Sequence, residues 1–335
     1  MADLDGDGRT DLLSGSWPGE IFLFRGGPGR SFAAPEMLRD REGKFINIGG
    51  GIAEQEDGSL LITGNGTFET TEEGLVVRYH GQTLKCSDER PISITGTASA
   101  VHAVDWDGDG DLDLLIGDIG GSVYLVPNEG ERGEPAFGTW MPLEAEGAPV
   151  HVPGDAGPFC ADWDGDGAFD LLVGAGDGSV WLFRNARAEG KTVLRAPERL
   201  VAPGKAAFGR DAPRDPTRGI RAKVCAVDWN GDGRLDLLLG DFATQAPPAP
   251  SLSKEERAAQ DALREALDAL MPGTQELANK LYGGRGKLTP EARAELQQQY
   301  GEATTRMREL RDQLPPEYEN HGWVWLFLRK APEGP

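Results

Sequence analysis

The chain has few of the residues from which disulfide frameworks and familiar catalytic sites are built. Its 335 residues include three cysteines, Cys86, Cys160 and Cys225, too few for a disulfide framework. Cys160 and Cys225 lie on apolar stretches and read as buried hydrophobes; Cys86 reads as structural or as a free thiol. There are four histidines, His80, His102, His151 and His321, and none belongs to a nucleophile, zinc or phosphate motif. Positive charge is in deficit, with 34 Lys and Arg against 55 Asp and Glu and a net charge of −21. That balance argues against nonspecific binding to nucleic acid. No hydrophobic run is long enough to span a membrane, and no signal peptide is legible.

Aspartate and glycine are plentiful, and they are patterned. Asp3-Leu-Asp-Gly-Asp-Gly-Arg-Thr-Asp11, Asp105-Trp-Asp-Gly-Asp-Gly-Asp-Leu-Asp113, Asp162-Trp-Asp-Gly-Asp-Gly-Ala-Phe-Asp170 and Asp228-Trp-Asn-Gly-Asp-Gly-Arg-Leu-Asp236 repeat one nine-residue loop. Oxygen side chains fall at loop positions 1, 3, 5 and 9: Asp3, Asp5, Asp7, Asp11; Asp105, Asp107, Asp109, Asp113; Asp162, Asp164, Asp166, Asp170; and Asp228, Asn230, Asp232, Asp236. Hard oxygens at alternate positions around a glycine-forced turn are what Ca²⁺ coordination requires. Position 7 varies (Arg9, Asp111, Ala168, Arg234), as expected where only a backbone carbonyl serves as ligand. The loops are not EF-hands, because position 12 is Ser14, Ile116, Val173 or Leu239, not a bidentate glutamate. Polar Asp-Gly turns without metal are the plainer alternative. About four Ca²⁺ are expected.

Short apolar runs ending in glycine follow each loop, and a second apolar run follows three of them, as in Ile21-Phe-Leu-Phe24, Val123-Tyr-Leu-Val126 and Val180-Trp-Leu-Phe183. The unit is therefore strand, loop, strand, tight turn, strand. Loop starts at 3, 105, 162 and 228 are separated by 102, 57 and 66 residues. The double-length first gap predicts a degenerate repeat inside it, over residues 53–79, that has lost its metal. Five repeats of this size suit four-stranded blades.

The aspartate loops and their D-L-L-x-G strands resemble the FG-GAP and VCBS repeat families. That resemblance implies an all-β fold: a calcium-binding β-propeller of about five four-stranded blades, like integrin α-subunit heads, with an inserted α-helical hairpin. The expected organisation is residues 1–242 for blades 1–4 and half of blade 5, 243–320 for the helical insertion, and 321–335 for the closing strand. The terminal blades look incomplete, since only Met1 and Ala2 precede the first loop. Sequence upstream, including a signal segment, is accordingly expected. Exposed calcium loops suit millimolar Ca²⁺, so an extracytoplasmic location (periplasmic, cell-surface or secreted) is expected. Four bound Ca²⁺ would bring the net charge from −21 to −13.

Within the insertion, Ser253-Lys-Glu-Glu256 forms a capping box ahead of Ala259, Leu263, Ala266 and Leu270 at heptad spacing. After Gly283-Gly-Arg-Gly286, Thr289-Pro290 opens a second helix carrying Leu296, Tyr300, Ala303, Met307, Leu310 and Leu314. A self-packed hairpin and a docking or dimerising arm both fit. Strand parity places the insertion and the long connections opposite the calcium loops. Among those connections, Lys205, Arg210, Arg214, Arg218, Arg221 and Lys223 form a candidate anion or partner patch, or else a solvated loop. Trp106, Trp163 and Trp229, at loop position 2, are expected to pack beneath the loops. No catalytic residue is assigned. The function expected is noncatalytic binding of a protein or polysaccharide on the face opposite the metals. The alternative is an extracellular carbohydrate-active enzyme, a lyase or hydrolase.

Overall fold

The structure is a computed structural model. It describes the chain except residues 50, 55–56, 64–66, 72–73, 80–81, 88–89, 96, 98, 132, 188–191, 209–210, 249–250, 283–288 and 331–335. His80, Arg210 and the glycine-rich break at 283–286 lie outside the described residues. The chain divides into two compact units. One is Met1–Ala206, Thr217–Ala243 and Asn320–Pro335; the other is Ala207–Pro216 and Thr244–Glu319. The segment 207–216 thus belongs with the insertion.

The first unit is mostly antiparallel sheet. The second, third and fourth aspartate loops each join two strands, and the strand after every loop pairs with the next in a meander. One sheet orders Ala100–Val104, Asp113–Gly117, Val123–Val126 and Met141–Pro142; another orders Gly157–Ala161, Asp170–Gly174, Val180–Phe183 and Glu198–Val201. The first loop leads into Leu12–Gly15, Ile21–Phe24 and Glu36–Met37, and Ala2 supplies a single bridge to Asp11 in place of a leading strand. After the fourth loop, Asp236–Gln245 lies between Ile220–Val227 on one side and Glu319–His321 with Val324–Phe327 on the other. The register repeats: Leu12 faces Phe24, Leu171 faces Phe183, and Leu237 faces Phe327.

The strands following the second and third loops are apolar on both sides because both their faces are covered. Leu114 and Ile116 join Ile21 and Leu23 in one core, while Leu115 joins Leu171, Val173 and Phe183 in the next. Leu172 then meets Leu237 and Leu239 in a third. Burying each such side chain contributes roughly 2 kcal/mol. The glycine ending the strand after each of the first three loops is sterically required. A Cβ on Gly15, Gly117 or Gly174 would lie 2.1–2.2 Å from the carbonyl oxygen of Ser99, Ala156 or Ala222 of the following repeat.

That contact corrects the reading of residues 53–79. The first loop-bearing sheet packs directly on the sheet of Ala100–Val104, through Gly15 and through hydrogen bonds between Ser16 and Ser99. Among the described residues no further sheet stands between them. Gly51–Glu54 and Leu60–Thr63 do form a hairpin, but its third partner is Ile92–Thr95, paired in parallel. Gly74–Tyr79 pairs instead with Thr67–Thr71 and Gln82–Lys85. Leu60, Ile62, Val77, Tyr79 and Ile92 give this segment its own small core, so it has no need to join the succession of loop-bearing sheets.

The second unit contains helices α1 (Lys254–Tyr282) and α2 (Pro290–Arg311). The capping box forms as expected, with Glu256 N–H donating to Ser253 Oγ at 3.2 Å and Ser253 N–H to Glu256 Oε2 at 2.8 Å. Thr289 caps α2 by accepting from Ala292 N–H at 3.2 Å. The apolar row of α1 differs by one residue from the expected seam: Ala259 and Ala266 are exposed, while Leu267 and Leu281 are buried. Leucine has more apolar area to hide than alanine, and Leu263, Leu267, Leu270 and Leu281 define the covered side. Two further expectations fail on exposure. Cys225 and Trp229 are exposed, whereas Cys160, Trp106 and Trp163 are buried.

Candidate functional site

Each aspartate loop is shaped by two glycines in the left-handed region: Gly6 and Gly8, Gly108 and Gly110, Gly165 and Gly167, Gly231 and Gly233, with φ between 69° and 100°. Only glycine adopts this conformation without penalty. The carboxylate at position 1 caps the turn; Asp162, for example, accepts from Gly165 N–H at 2.8 Å and Gly167 N–H at 3.1 Å. At position 5, Asp7, Asp109, Asp166 and Asp232 each accept from the N–H two residues on, at 2.8–3.1 Å.

Position 9 has a different task. Asp11, Asp113, Asp170 and Asp236 are almost wholly buried. One oxygen of each accepts from the N–H of loop position 2: Leu4 at 2.9 Å, Trp106 at 3.0 Å, Trp163 at 3.1 Å and Trp229 at 3.1 Å. The other accepts from an N–H two residues beyond the third strand: Gly26 at 2.7 Å, Asn128 at 2.6 Å, Asn185 at 2.7 Å and Arg329 at 2.7 Å. This carboxylate ties the loop to the strand next door.

Three clusters bring carboxylate oxygens within 4.8 Å of one another: Asp3, Asp5 and Asp11; Asp105, Asp107 and Asp109; Asp162, Asp164 and Asp166. The donors are all hard oxygens, the set a Ca²⁺-sized cation takes. Two further observations fit such an ion. Asp3 Oδ1 and Asp111 Oδ1 are buried with no hydrogen-bond partner, a costly arrangement unless a cation satisfies them. Burial, reinforced by Asp109, Asp113 and Asp107, pushes the Asp111 carboxyl up to about 6. Burial likewise raises Asp113 to about 6, against the backbone bonds from Asn128 and Trp106. Arginines already neutralise part of this charge: Arg25 pairs with Asp5 at 2.6 Å, Arg184 with Asp164 at 2.8 Å, Arg234 with Asp232 at 2.5 Å, and Arg9 with Asp7. In the fourth loop, Asn230 replaces one carboxylate, and Asp228 accepts from Gly231, Asp232 and Gly233 N–H groups.

At the strand ends remote from these loops lies a cavity of about 640 Å³, lined by Trp17, Asp155, Arg221, Lys223, Asp241 and Trp323 among others. Asp155 and Arg221 occupy equivalent places in consecutive repeats, six residues before Ala161 and Val227, which face Asp170 and Asp236. Both have left-handed backbones, φ 44° and 59°, an uncommon state for residues with a Cβ. Arg221 Nε–H donates to Asp155 Oδ2 at 2.5 Å; Lys223 Nζ donates to Asp155 Oδ1 at 3.1 Å and to its carbonyl at 2.8 Å. Burial pushes the Asp155 carboxyl up, but the two cations outweigh it and hold it below the ordinary value. Burial lowers the Lys223 amine, with Asp155 opposing that shift.

The five described residues of the predicted basic patch do not share one environment. Arg218 donates to the carbonyls of Gly178, Ala202 and Pro203 and clamps its connection. Lys205 is in the first unit and Arg214 in the second; only Arg221 and Lys223 converge, on Asp155. His102 packs against Phe159, ring centroids 4.7 Å apart, and burial drops its pKa to about 4. His151 bridges Ser122, and His321 stacks on Trp323 at 5.1 Å and 14°. Sequence reading missed Asp155, Trp17 and Trp323. The available signal was Ile220-Arg-Ala-Lys-Val224, which puts two cations where the preceding repeat has Asp155 and Gly157.

Residues 162–239 match the FG-GAP-like repeat family. No match is found among curated proteins. Among solved structures, the chain is similar to an Agrocybe aegerita lectin described as recognising non-reducing terminal N-acetylglucosamine. The identity is 20%, over 72% of this chain and 61% of the lectin, with a TM-score of 0.29. A score this low does not indicate a shared overall fold.

Proposed function

We propose that this chain, which carries an FG-GAP-like repeat over residues 162–239, is a calcium-stabilised, propeller-type binding module working outside the cytoplasm. The observation that carries the metal is a carboxylate cluster in each of three loops, at positions 1, 3 and 9 in the first and 1, 3 and 5 in the second and third, together with the partnerless buried oxygen of Asp3. Positions 1, 3 and 5 would hold the ion with the position-7 carbonyl in the second and third loops, Asp3, Asp5 and Asp11 would hold it in the first, and Asp228, Asn230 and Asp232 in the fourth. The ions neutralise crowded carboxylates and stiffen the turns between strands. At about 1 mM Ca²⁺ and site affinities typical of extracellular modules, each ion adds roughly 0.4–1.4 kcal/mol of stability.

The reading is a noncatalytic module that takes a protein or polysaccharide at the strand ends remote from the loops. The cavity there favours it, being of a size that receives small ligands. Calorimetry with Ca²⁺ on chelator-stripped protein tests the metal: about four sites are expected, with a rise in melting temperature, and an absence of binding heat refutes it. A glycan array and a substrate panel on the Ca²⁺-loaded protein test the rest. Turnover of a panel member would replace the binding reading with that of a carbohydrate-active enzyme.

A further inference from the structure

The Asp155–Arg221–Lys223 cluster has a built character that ordinary surface ion pairs lack. A register shift between Ile220 and Lys223 interrupts the strand, and bulges of this kind re-aim side chains. Two non-glycine residues are held in the left-handed region to make one contact, and such strain collects where a site has to be shaped. The carboxylate of Asp155 is buried. It accepts from Nε–H of Arg221, whose side chain is half exposed.

We infer that this cavity binds a carboxylate-bearing sugar, with the outer fork of Arg221 meeting the carboxylate and Trp17 and Trp323 supplying a surface for the ring. The inference names a ligand class for the face proposed above and rests on that reading. A planar guanidinium pairs bidentately with a carboxylate. Asp241 also lines the cavity, but its oxygens accept from Gly219 N–H at 2.6 Å, Trp323 N–H at 3.1 Å and Trp325 Nε1–H at 2.8 Å. Arg221 and Lys223 are therefore balanced by Asp155 and Asp241. Such a wall suits a singly charged group such as a carboxylate better than a doubly charged phosphate monoester. Trp17 is 58% exposed, a large apolar surface at the rim. Trp323 also lines the cavity, its ring stacked on that of His321. A flat pyranose ring covers such an indole, whereas the flexible side chain of a peptide glutamate does not.

The test is titration of the Ca²⁺-loaded protein with methyl glucuronide, followed by calorimetry and tryptophan fluorescence. Methyl glucoside, glucose 6-phosphate and N-acetylglutamate serve as comparisons. Saturable glucuronide binding is expected, with the glucoside about tenfold or more weaker, the size of a lost charge-assisted contact. Arg221→Gln should lose about tenfold. Trp17→Ala, at an exposed site that leaves folding intact, should weaken the glucuronide while the melting temperature holds. Equal affinity for the glucoside, the phosphate or N-acetylglutamate overturns the inference, as does the absence of saturable glucuronide binding by folded protein. If a different glycan or a protein binds instead, only the cavity assignment falls; if Ca²⁺ also fails to bind, the broader reading falls with it.

Discussion

Replacing Asp170 by asparagine separates the two jobs that the aspartate loops combine. Its side chain is fully buried and accepts from Trp163 N–H at 3.1 Å and Asn185 N–H at 2.7 Å. Asparagine keeps one acceptor and turns an NH₂ group toward the other donor. A charge-assisted hydrogen bond is lost, about 1.5–3 kcal/mol, and a buried N–H is left unsatisfied, about 1–3 kcal/mol. Burial raises the Asp170 pKa despite those two bonds, so the neutral residue recovers part of the desolvation cost. The net loss should be about 2–4 kcal/mol. Because the bonds are to backbone, the loss should appear in chelator as well as in Ca²⁺. Asp164→Asn is the contrast. That carboxylate makes a partly exposed pair with Arg184, worth about 0.2–1 kcal/mol, so its main effect should appear only with Ca²⁺ present. Urea unfolding followed by tryptophan fluorescence, in chelator and in excess Ca²⁺, measures both. A loss below about 1 kcal/mol for Asp170→Asn in chelator would refute the backbone-tie reasoning.

Two further outcomes concern groups away from the loops. His102 has a folded pKa of about 4, below its ordinary 6.5, so the unfolded chain takes up a proton that the folded chain refuses. Stability should therefore fall as pH drops from 6.5 toward 4, by about 3 kcal/mol for this residue, and be recovered on raising the pH. The difference between the wild type and His102→Gln across that window isolates it, and parallel curves would contradict it. In the helical unit, Leu267→Ala should cost about 2–4 kcal/mol by far-ultraviolet circular dichroism melts. Ala266→Gln should change stability by less than about 0.5 kcal/mol; the reverse order would restore the seam read from sequence.

The loops were legible because they repeat side-chain identities, and the strands after the second and third because burial on both faces demands unbroken apolar runs. The second job of position 9 was not legible. Its partners are the backbone N–H groups of Gly26, Asn128, Asn185 and Arg329, which share no single residue type across the four repeats. Residues 53–79 misled because strand-like composition does not specify a pairing partner, and here a small separate core chose Ile92–Thr95. The α1 seam slipped by one residue because alanine fits either side of a helix, whereas Leu267 settles only on the covered one. Which members of the basic patch come together was not legible, because spacing along a connection says nothing of which carboxylate each cation will find. Asp155 is the example, 66 residues from Arg221.

In three repeats the tie from the position-9 carboxylate reaches an N–H fifteen residues ahead; in the fourth it reaches Arg329, 93 residues ahead, at the same 2.7 Å. Asp236 thus acts as a postal address for the returning strand, valid however far the chain has travelled. Lengthening a flexible loop by that factor costs only about 1.6 kcal/mol in closure entropy, less than a buried charged tie of this kind can return. A sheet keyed in this way can host foreign sequence between its second and third strands without losing its place. The helical pair is then cargo that the fold was already equipped to carry.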